Sequence, residues 1–496
     1  MKFTVKDTLT EEETKSGLDS VIKDGLASQA MATFTGGVFL VAFALKLGAS
    51  NTVIGLLAAL PPLAQLLQIP SIYLVEKIRI RRVICVYASI VSRIFWLLIA
   101  LIPFLFSFET GLFILVVAIV LNSVFSAPSN CSWNSWLRDL VPQDQLGSFF
   151  SRRMRLSMGL GIVLSLFAGV YIDYWKKLFP DNELYGYSIL FSLGFLAGML
   201  GVYFLSTIHE PRMATEEKKV EFFKLILKPF KDVNFRNLVM FSGSWNFAVN
   251  LAAPFFTVYM LKKLQLGMSF IIALTVLSQI AHFTFLRIWG KFSDRFSNKS
   301  VLGVSGPLFL VCIFAWTFTT LPEKHVLTIP LLIAIHIFMG IAMAGVALAS
   351  GNIGLKLAPK GEATVYLASS NLVNSVAASI APVFGGKFAD FFVGRELSLL
   401  LKWTSPVREL TFNTLSFQHW DFFFFFAFVI GWYSIHRLSM VKEIGEVEEE
   451  IVVDELISEV RREMRNLSTV GGLRQTVLFP FTVIKHLKRF KDDFAA

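Results

Sequence analysis

The chain has 496 residues, of which 54% are apolar and only 17% are charged, whereas ordinary soluble domains are about 25% charged. This composition excludes a string of soluble domains and makes lipid the solvent for much of the surface. The net charge of +10 comes from basic residues interleaved with apolar stretches, so we interpret it as a topology signal and exclude a nucleic-acid partner.

The N-terminal residues 1–26 are polar and acidic, and they lack the short apolar core of a cleavable signal peptide. After them, apolar stretches of about 20 residues, the length that crosses the hydrocarbon of a bilayer, recur twelve times. These predicted spans lie near 27–47, 53–75, 83–106, 110–134, 156–175, 184–207, 237–261, 268–290, 300–320, 326–350, 364–391 and 419–440. An even number of spans places both termini on the same side of the membrane.

Lysine and arginine predict which side that is. The connection between the sixth and seventh spans carries seven of them, and the connection between the third and fourth carries none. The excess follows the even-numbered spans, and such an excess belongs in the cytoplasm. We therefore predict a multi-pass protein of the plasma (inner) membrane with both termini cytoplasmic.

The segments outside the spans are predicted to lie at the membrane surface. The midpoint connection contains an amphipathic piece formed by Phe222, Phe223, Ile226 and Leu227. The C-terminal tail begins with an acidic stretch, predicted as a solvated helix, and ends with a basic amphipathic stretch. That second stretch indicates an interfacial helix against anionic lipid, with docking of a partner as the alternative. The predicted organisation is an N-terminal tail 1–26, a six-helix bundle 27–208, a linker 209–236, a second six-helix bundle 237–440 and a tail 441–496.

An internal repeat is the strongest pattern in the sequence. Four short matches recur in order at offsets of 217 to 219 residues. They pair Leu47–Ser50 with Leu266–Ser269, Glu76 and Arg81 with Asp294 and Lys299, Leu137 and Arg138 with Leu355 and Lys356, and Gly169 and Asp173 with Gly386 and Asp390. Halves of equal orientation place a cavity between them near the midplane and open it by rocking. The predicted fold is an all-α membrane protein with twelve transmembrane helices in two halves, related by a pseudo-twofold axis along the membrane normal.

The loop after the eighth span, Gly290-Lys-Phe-Ser-Asp294-Arg295-Phe-Ser-Asn-Lys299, resembles the signature of the major facilitator superfamily. The copy after the second span departs from it, because Ile72 stands in the place of glycine and Glu76 in the place of aspartate. The resemblance covers roughly residues 25–440 and implies a permease that works by alternating access. An antiporter motif of the family is incomplete in the fifth span, and span 11 matches it better with Ala381-Pro382-Val-Phe-Gly385-Gly386.

An acid at a cytoplasmic helix end can pair with nearby basic groups and hold an inner gate shut. The resemblance therefore implies gating roles for the loop motif, with topology and helix capping as the alternative. The candidates are Glu76, Arg81, Gly290, Asp294, Arg295 and Lys299.

Three ionisable residues lie well inside predicted spans. Arg93, in the third span, is expected to face a cavity or a partner, so it either holds an anionic substrate or makes a structural pair. His282 and His336 can carry a coupling proton, or they are neutral and structural. No Asp or Glu occupies the middle third of a predicted span, so coupling uses another group or transport is uncoupled.

Uncharged polar residues outline the predicted cavity. Asn122 and Asn130 share one face of their helix with Ser126, and interhelical hydrogen bonding is the alternative role for the whole set. The candidates for substrate contact are Gln29, Asn122, Asn130, Asn246, Asn250, Asn371 and Asn374.

Familiar catalytic motifs are absent from the sequence, which has no P-loop lysine, no His-Glu-x-x-His and no serine elbow. We therefore do not expect an enzyme, a metal or a cofactor. The leading hypothesis is a monomeric secondary active or facilitative transporter of a small organic solute, surrounded by lipid, with a coupling proton or ion left open. The alternatives are a drug or metabolite efflux antiporter of the same fold, and a transporter-like sensor that signals through its tail.

Overall fold

The computed structural model describes residues 5–7, 9–142, 145–213, 228–320, 323–359, 363–405 and 408–468. Among these residues, ten helices are long and apolar enough to cross a membrane, and a pair joined at a 41° bend brings the number to as many as eleven. The 30-residue helix at the seventh predicted span is not one of the ten. The multi-pass helical fold is confirmed, and the count of twelve spans stays a prediction.

The first half of the chain forms eight helices and a short parallel pairing of two strands, β1 (Val5–Lys6) and β2 (Glu210–Pro211). A capping box starts the first helix, since Thr10 and Glu13 each accept the other's backbone N–H. The helices are α1 (Glu11–Thr35), α2 (Gly37–Lys46), α3 (Asn51–Gln65), α4 (Gln68–Ile78), α5 (Arg81–Leu105), α6 (Phe108–Leu140), α7 (Leu146–Leu178) and α8 (Glu183–Thr207).

Two of the predicted spans are interrupted helices. Between α1 and α2, Gly36 is extended and Gly37 has a φ of 54°, a region that favours glycine. Near the end of α3, Pro61 and Pro62 precede the 41° bend into α4, because a proline inside a helix removes a backbone hydrogen bond and clashes with the preceding turn.

Within the described residues, the second half forms seven α-helices. The last of them lies beyond the predicted spans, in the tail. They are α9 (Val233–Lys262), α10 (Met268–Arg295), α11 (Asn298–Ala315), α12 (Thr328–Leu357), α13 (Ala363–Phe391), α14 (Trp420–Ser439) and α15 (Glu449–Ser468).

A β-hairpin that hydropathy does not predict separates α13 from α14. Its strands, β3 (Glu396–Thr404) and β4 (Glu409–Gln418), pair antiparallel with one irregularity at Leu399/Leu400. We call this end of the bundle the hairpin face. The opposite end, which carries β1–β2 and α15, we call the tail face.

Each half packs mainly within itself. In the first half α5 packs on α6 and α1 on α8, and in the second α10 packs on α12 and α9 on α13. Two repeat-related helix pairs join the halves: α3 packs on α13, and α7 packs on α10. Large apolar side chains such as Phe113 and Phe167 are about 70% exposed, which is expected where lipid is the solvent.

Two predictions fall outside the described residues. These are the amphipathic piece of the 209–236 linker, with Phe222, Phe223, Ile226 and Leu227, and the basic interfacial stretch at the end of the 441–496 tail.

Candidate functional site

A cavity of about 480 Å³ lies between the two halves. The first half contributes residues of α1, α2 and α7, and the second half contributes residues of α10 and α12. The predicted candidates Gln29 and His282 both line it. Its polar side chains are Gln29, Thr33, Ser165, Thr275, Ser278, Gln279 and His282. In the part of the chain that the structure describes, none of its lining residues is Asp, Glu, Lys or Arg.

The break between α1 and α2 forms part of the wall of this first cavity, through Gly36 and Gly37. Irregular backbone at membrane depth persists only where protein buries it or where it lines a polar cavity. Nearby, Gln29 donates to Thr33 Oγ1 at 3.4 Å and lies so close to Gly161 that a Cβ there would be 2.8 Å from Gln29 Nε2. The break therefore opens backbone polar groups to the same space as the side chains.

A second cavity, of about 440 Å³, lies between α3–α4 of the first half and α9 and α13 of the second. Three predicted candidates, Asn246, Asn371 and Asn374, line it. Its polar side chains are Gln65, Gln68, Asn246, Asn371, Asn374 and Ser375, and its lining includes no charged residue among those that the structure describes.

The two cavities are repeat partners. Five positions of the first cavity correspond to five of the second at an offset of 217 residues, which is also the offset between the first residues of α3 and α10, Asn51 and Met268. They are Met158 and Ser375, Gly161 and Ala378, Gln279 and Pro62, His282 and Gln65, and Phe283 and Leu66. The internal repeat therefore places equivalent surfaces on both sides of the junction between the halves.

Asp173 closes the hairpin face on one side of this junction. From the end of α7 its carboxylate accepts the backbone N–H groups of Met268 at 2.9 Å and Ser269 at 2.8 Å, and also the Ser269 hydroxyl. These are the first amides of α10, in the other half. The acid thus caps the positive end of a helix across the junction.

Asp390 makes the equivalent closure on the other side. Its carboxylate accepts the N–H groups of Asn51 at 3.1 Å and Thr52 at 2.9 Å, and the Thr52 hydroxyl at 2.7 Å. A glycine four residues before each acid allows close approach. A Cβ on Gly169 would lie 3.2 Å from Ser269 Cα, and one on Gly386 would lie 2.6 Å from Thr52 Cα.

These two acids and two glycines are the repeated Gly-x-x-x-Asp match of the sequence. We call the Asp173 and Asp390 contacts the hairpin-face locks. Both cavities lie on the tail-face side of the locks. In the first cavity, α7 contributes Ser165, Gly161 and Met158 in that order below Gly169. In the second, α13 contributes Ala378, Asn374 and Asn371 in that order below Gly386.

The loop-motif residue Arg81 is buried within the first half. Its backbone N–H and Nε donate to Glu210 Oε1 at 2.8 Å and 3.1 Å, and its guanidinium also contacts Asp139. Glu210 accepts the Arg82 N–H as well, at 3.0 Å, and so caps the start of α5. The contacts of Arg81 therefore stabilise the first half rather than a junction.

Glu443 caps α11 in the same way, accepting from the Lys299 N–H at 2.7 Å and from Asn298 Nδ2 at 2.9 Å. It also pairs with Lys356 at 3.0 Å. Glu210 and Glu443 are thus equivalent acids that follow the last span of each half. Sequence reasoning missed them because the hairpin insertion breaks the offset of 217.

The tail helix α15 engages the basic residues of the second loop motif. Lys291 pairs with Glu459 at 2.9 Å and Arg295 with Glu455 at 2.5 Å, while Lys299 pairs with Glu446, in the loop before the helix, at 2.8 Å. Val452, a residue of α15, is fully buried on the face of the helix that contacts the bundle. The prediction of a solvated helix is therefore wrong for one face of α15, because that face docks on the bundle.

The remaining loop-motif residues form no hydrogen bond or ion pair with the other half in the part of the chain that the structure describes. The side chains of Glu76 and Asp294 are exposed, and neither forms an ion pair among the described residues. A Cβ on Gly290 would meet only Leu348, at 3.8 Å. A gating role for these residues stays a prediction.

Arg93 lies in a polar network inside the first half, outside the lining of both cavities. It donates to the Gly198 carbonyl and to Ser28 Oγ, the latter at 3.1 Å. Ser28 donates to Asp24, which also faces Arg153 at 3.8 Å. The placement favours the structural pair over direct contact with an anionic substrate.

Four other candidates lie outside the two cavity linings. His336 is buried, bonded to the Leu332 carbonyl at 2.8 Å and packed on Trp316. Asn122 donates to the Ser92 carbonyl, and Asn250 to the Asn246 carbonyl, each at 2.8 Å. Asn130 is exposed on α6.

Sequence reasoning missed several lining residues. On α10, Thr275, Ser278, Gln279 and His282 are spaced at three and four residues, so they form one polar stripe of a helix. That spacing was the available signal. Gln65 and Gln68 had no such signal, because the bend between α3 and α4 decides where they face.

The comparisons with known proteins bear on the fold. A family model described as Major Facilitator Superfamily matches residues 25–406. A variant of the nucleoside transporter NupG has a TM-score of 0.65 and 13% identity, covering 86% of this chain and 100% of that chain. A bacterial homologue of the iron transporter ferroportin in an inward-facing state has a TM-score of 0.61 and 11% identity, covering 88% and 100%.

A bacterial homologue of the lysosomal transporter Spinster, inward-facing and occupied, has a TM-score of 0.56 and 16% identity, covering 78% of this chain and 84% of that chain. A search of curated proteins found no match. At these identities the structural neighbours establish the fold alone.

Proposed function

Because the chain belongs to the Major Facilitator Superfamily, we propose that it is a secondary active or facilitative permease that moves a small organic solute by alternating access. Its solute compartment is formed by the two repeat-related cavities. Transmembrane transport of a small solute is the general function that the family indicates, and the mechanism is the part that we propose.

The pair of hairpin-face locks carries the proposal. Both locks join opposite halves at one face, and both cavities lie between that face and the other one. A bundle closed at one face above a cavity is the arrangement expected of one state of a rocking transporter. The exposed side chains of Glu76 and Asp294 are consistent with a tail face that is open in this state.

The orientation in the membrane follows from the positive-inside bias. We propose that the tail face is cytoplasmic, so that this state is open to the cytoplasm. In the opposite state the Asp173 and Asp390 contacts break, and the tail-face ends of the halves approach each other. A reporter fused to the C-terminus checks the orientation, and a signal from outside the cell would contradict it.

Coupling through a cavity carboxylate finds no support, because no acid among the described residues lines either cavity. His282 is the titratable group that faces the first cavity. Proton coupling therefore depends on His282, or the driving force is the solute gradient or another ion.

The contacts of α15 favour a second candidate function. A sensor that signals through its tail requires the tail to touch the moving bundle, and the ion pairs of Lys291 and Arg295 provide such a contact. Deletion of 441–496 separates the two functions. Solute movement survives the deletion in a transporter with an accessory tail, whereas the signal is lost in a sensor.

Spin-label distances test the proposed mechanism without a known substrate. One pair of labels, at exposed Lys77 and Leu355, reports the tail face, and a second, at exposed Glu109 and Val326, reports the hairpin face. The double change Asp173→Asn and Asp390→Asn removes both charges and keeps the volumes. We expect the hairpin-face distance to lengthen and the tail-face distance to shorten together.

Lys77→Gln, a change at the tail face outside the locks, serves as the matched control for the hairpin-face pair and should leave that distance unchanged. Unchanged distances at both faces in the double variant would contradict the role of the locks. Lengthening at one face without shortening at the other would contradict alternating access.

A further inference from the structure

We infer that the solute is electrically neutral and is recognised by hydrogen bonds from amide and hydroxyl side chains of both cavities. This inference rests on the proposed function, because it assigns the cavities to the solute. Its chemical class is a compact molecule with several donors and acceptors and no ionised group, such as a polyhydroxylated compound or a nucleoside-like heterocycle.

The absence of charge in the cavity walls carries the inference. Across both linings, as the structure describes them, no Asp, Glu, Lys or Arg is present. An ionised solute that leaves water for a protein interior needs a counter-charge and hydrogen bonds in return. These walls offer the hydrogen bonds and not the counter-charge, so they discriminate against ions of either sign.

The charged residues of the first half do not supply that counter-charge. Asp24 and Arg93 are buried, at 2% and 7% exposure. Ser28 links them, because Arg93 donates to its hydroxyl and that hydroxyl donates to Asp24. Arg153 stacks on Trp133, with its guanidinium carbon 4.9 Å from the ring centre, and donates to the Val21 carbonyl. None of these residues is among the lining of either cavity.

The hydrogen-bonding capacity of the walls is large and mixed. Each Gln or Asn side chain offers two donors and an acceptor. In the second cavity, Asn374 Oδ1 is buried with no hydrogen-bond partner among the described residues, and Asn246 uses its amide nitrogen on the Ser242 carbonyl. The amide oxygen of Asn246 is thus left for donors on a solute, whereas Asn374 Oδ1 reaches the solute only when its side chain rotates.

The repeat indicates what His282 does. Its partner position at an offset of 217 is Gln65, a neutral side chain that both donates and accepts. A neutral imidazole has the same two capacities. His282 therefore acts as a hydrogen-bonding group of the wall, and glutamine is the substitution that already occupies the equivalent place.

Matched compounds that differ only by a phosphate test the inference on the purified full chain. The probes are uridine against uridine 5′-monophosphate, glucose against glucose 6-phosphate, and glycerol against glycerol 3-phosphate. A compound that binds the folded state raises the melting temperature. We expect at least one uncharged member to raise it by a few degrees and its phosphorylated partner to leave it unchanged.

Variants tie the shift to the cavities. Gln279→Leu and Gln65→Leu each remove an amide group from one cavity wall. Each should abolish the shift in melting temperature or raise at least tenfold the ligand concentration needed to produce it. His282→Leu should reduce the shift as well, and His282→Gln, which keeps a donor and an acceptor, should restore it relative to His282→Leu. Asn130→Leu changes an exposed asparagine outside both linings and serves as the matched control. Two wall variants are used so that the result does not depend on the folding of one.

A phosphorylated compound that raises the melting temperature in a Gln279-dependent manner would overturn the inference, and so would a panel in which no uncharged member has an effect. Either outcome leaves the alternating-access mechanism standing, because the spin-label distances test that mechanism without any ligand. Conversely, suppose that the spin-label distances do not change and that only uncharged compounds raise the melting temperature. That result would support the binding site and reject the transport mechanism.

Discussion

At the scale of single residues, polar side chains inside the spans fall into two groups. Arg93 and His336 are buried and bonded to backbone carbonyls within their own half, whereas Gln279 and His282 face a cavity. Depth in the membrane makes a polar residue notable in both groups. Whether such a residue is bonded within its half or faces a cavity depends on the positions of the neighbouring helices, which the sequence does not show.

Arg81 gives the clearest stability prediction at this scale. The change Arg81→Gln removes the charge that compensates buried Glu210, which is 1% exposed. Breaking a buried pair in this way costs about 3–5 kcal/mol. We expect a marked fall in the melting temperature of the purified protein.

Lys77→Gln is the control for that experiment, since Lys77 is exposed on the same face of the protein and should change stability by less than about 0.5 kcal/mol. Equal melting temperatures for the two variants would show that Glu210 is compensated by other groups. The α5 cap would then be a minor contribution.

At the scale of elements, two kinds of contact hold the acidic tail helix α15 on the bundle. They are its ion pairs with basic residues of the loop motif and the burial of its apolar face, which includes Val452. Hydrogen bonds from Lys299 and Lys291 hold the pKa of Glu446 and of Glu459, respectively, below the ordinary value of 4.5. Since these pKa values are lowered, the ion pairs are fully formed above about pH 4.5. Their contribution is lost as the pH falls through the lowered values.

We therefore expect α15 to be docked at pH 7 and released at strongly acid pH. A nitroxide at exposed Glu450 checks this, because its spectrum should be immobilised at neutral pH and become mobile on acidification. A spectrum that stays immobilised through the acid range would mean that Val452 and its apolar neighbours hold the helix without the charges.

A charge exchange tests the same contact at neutral pH. Lys291→Glu should mobilise the Glu450 label, and the double change Lys291→Glu with Glu459→Lys should restore its immobilisation. Partly exposed pairs contribute about 0.2–1 kcal/mol each, so the single change is expected to shift the docking equilibrium rather than abolish it. Failure of the double change to restore immobilisation would point to Arg462, which also contacts Glu459.

At the scale of the whole molecule, glycines allow the backbones of the two halves to approach closely. A Cβ on Gly55 would overlap the backbone carbonyl of Pro382, and one on Gly385 would lie 2.8 Å from the Leu251 carbonyl. The first contact crosses between halves and the second joins α13 to α9. Tight backbone approach, together with the Asp173 and Asp390 locks, therefore sets the hairpin-face closure.

Gly55→Leu should prevent that closure. The larger side chain cannot fit against the α13 backbone, so we expect the Glu109–Val326 label distance to lengthen by several ångströms. Gly290→Ala is the matched control, because its Cβ would make only an ordinary contact at 3.8 Å. A normal hairpin-face distance in Gly55→Leu would mean that the α3–α13 contact can slide without opening.

Much of this architecture follows from the sequence by itself. Composition and span length require a multi-pass helical protein, because backbone polar groups in lipid must be satisfied within helices. The repeat offsets predict the two halves, and the Gly-x-x-x-Asp match already pairs the residues of the hairpin-face locks. Gln29, Asn246, Asn371 and Asn374 are predicted to contact the solute, and each lines a cavity. His282, predicted to carry a proton or to be structural, lines the first cavity as well.

The tertiary structure alone decides the rest, because it fixes which neighbours each side chain meets. Hydropathy cannot foresee the β3–β4 hairpin, since nothing in membrane-span length specifies an insertion between helices. The sequence shows that Asp173 and Asp390 are repeated acids. Only the tertiary structure shows that each one accepts the N-terminal amides of a helix in the other half. In the same way, Arg295 and Lys299 carry charges whose partners, Glu455 and Glu446, are determined by the long-range docking of the tail.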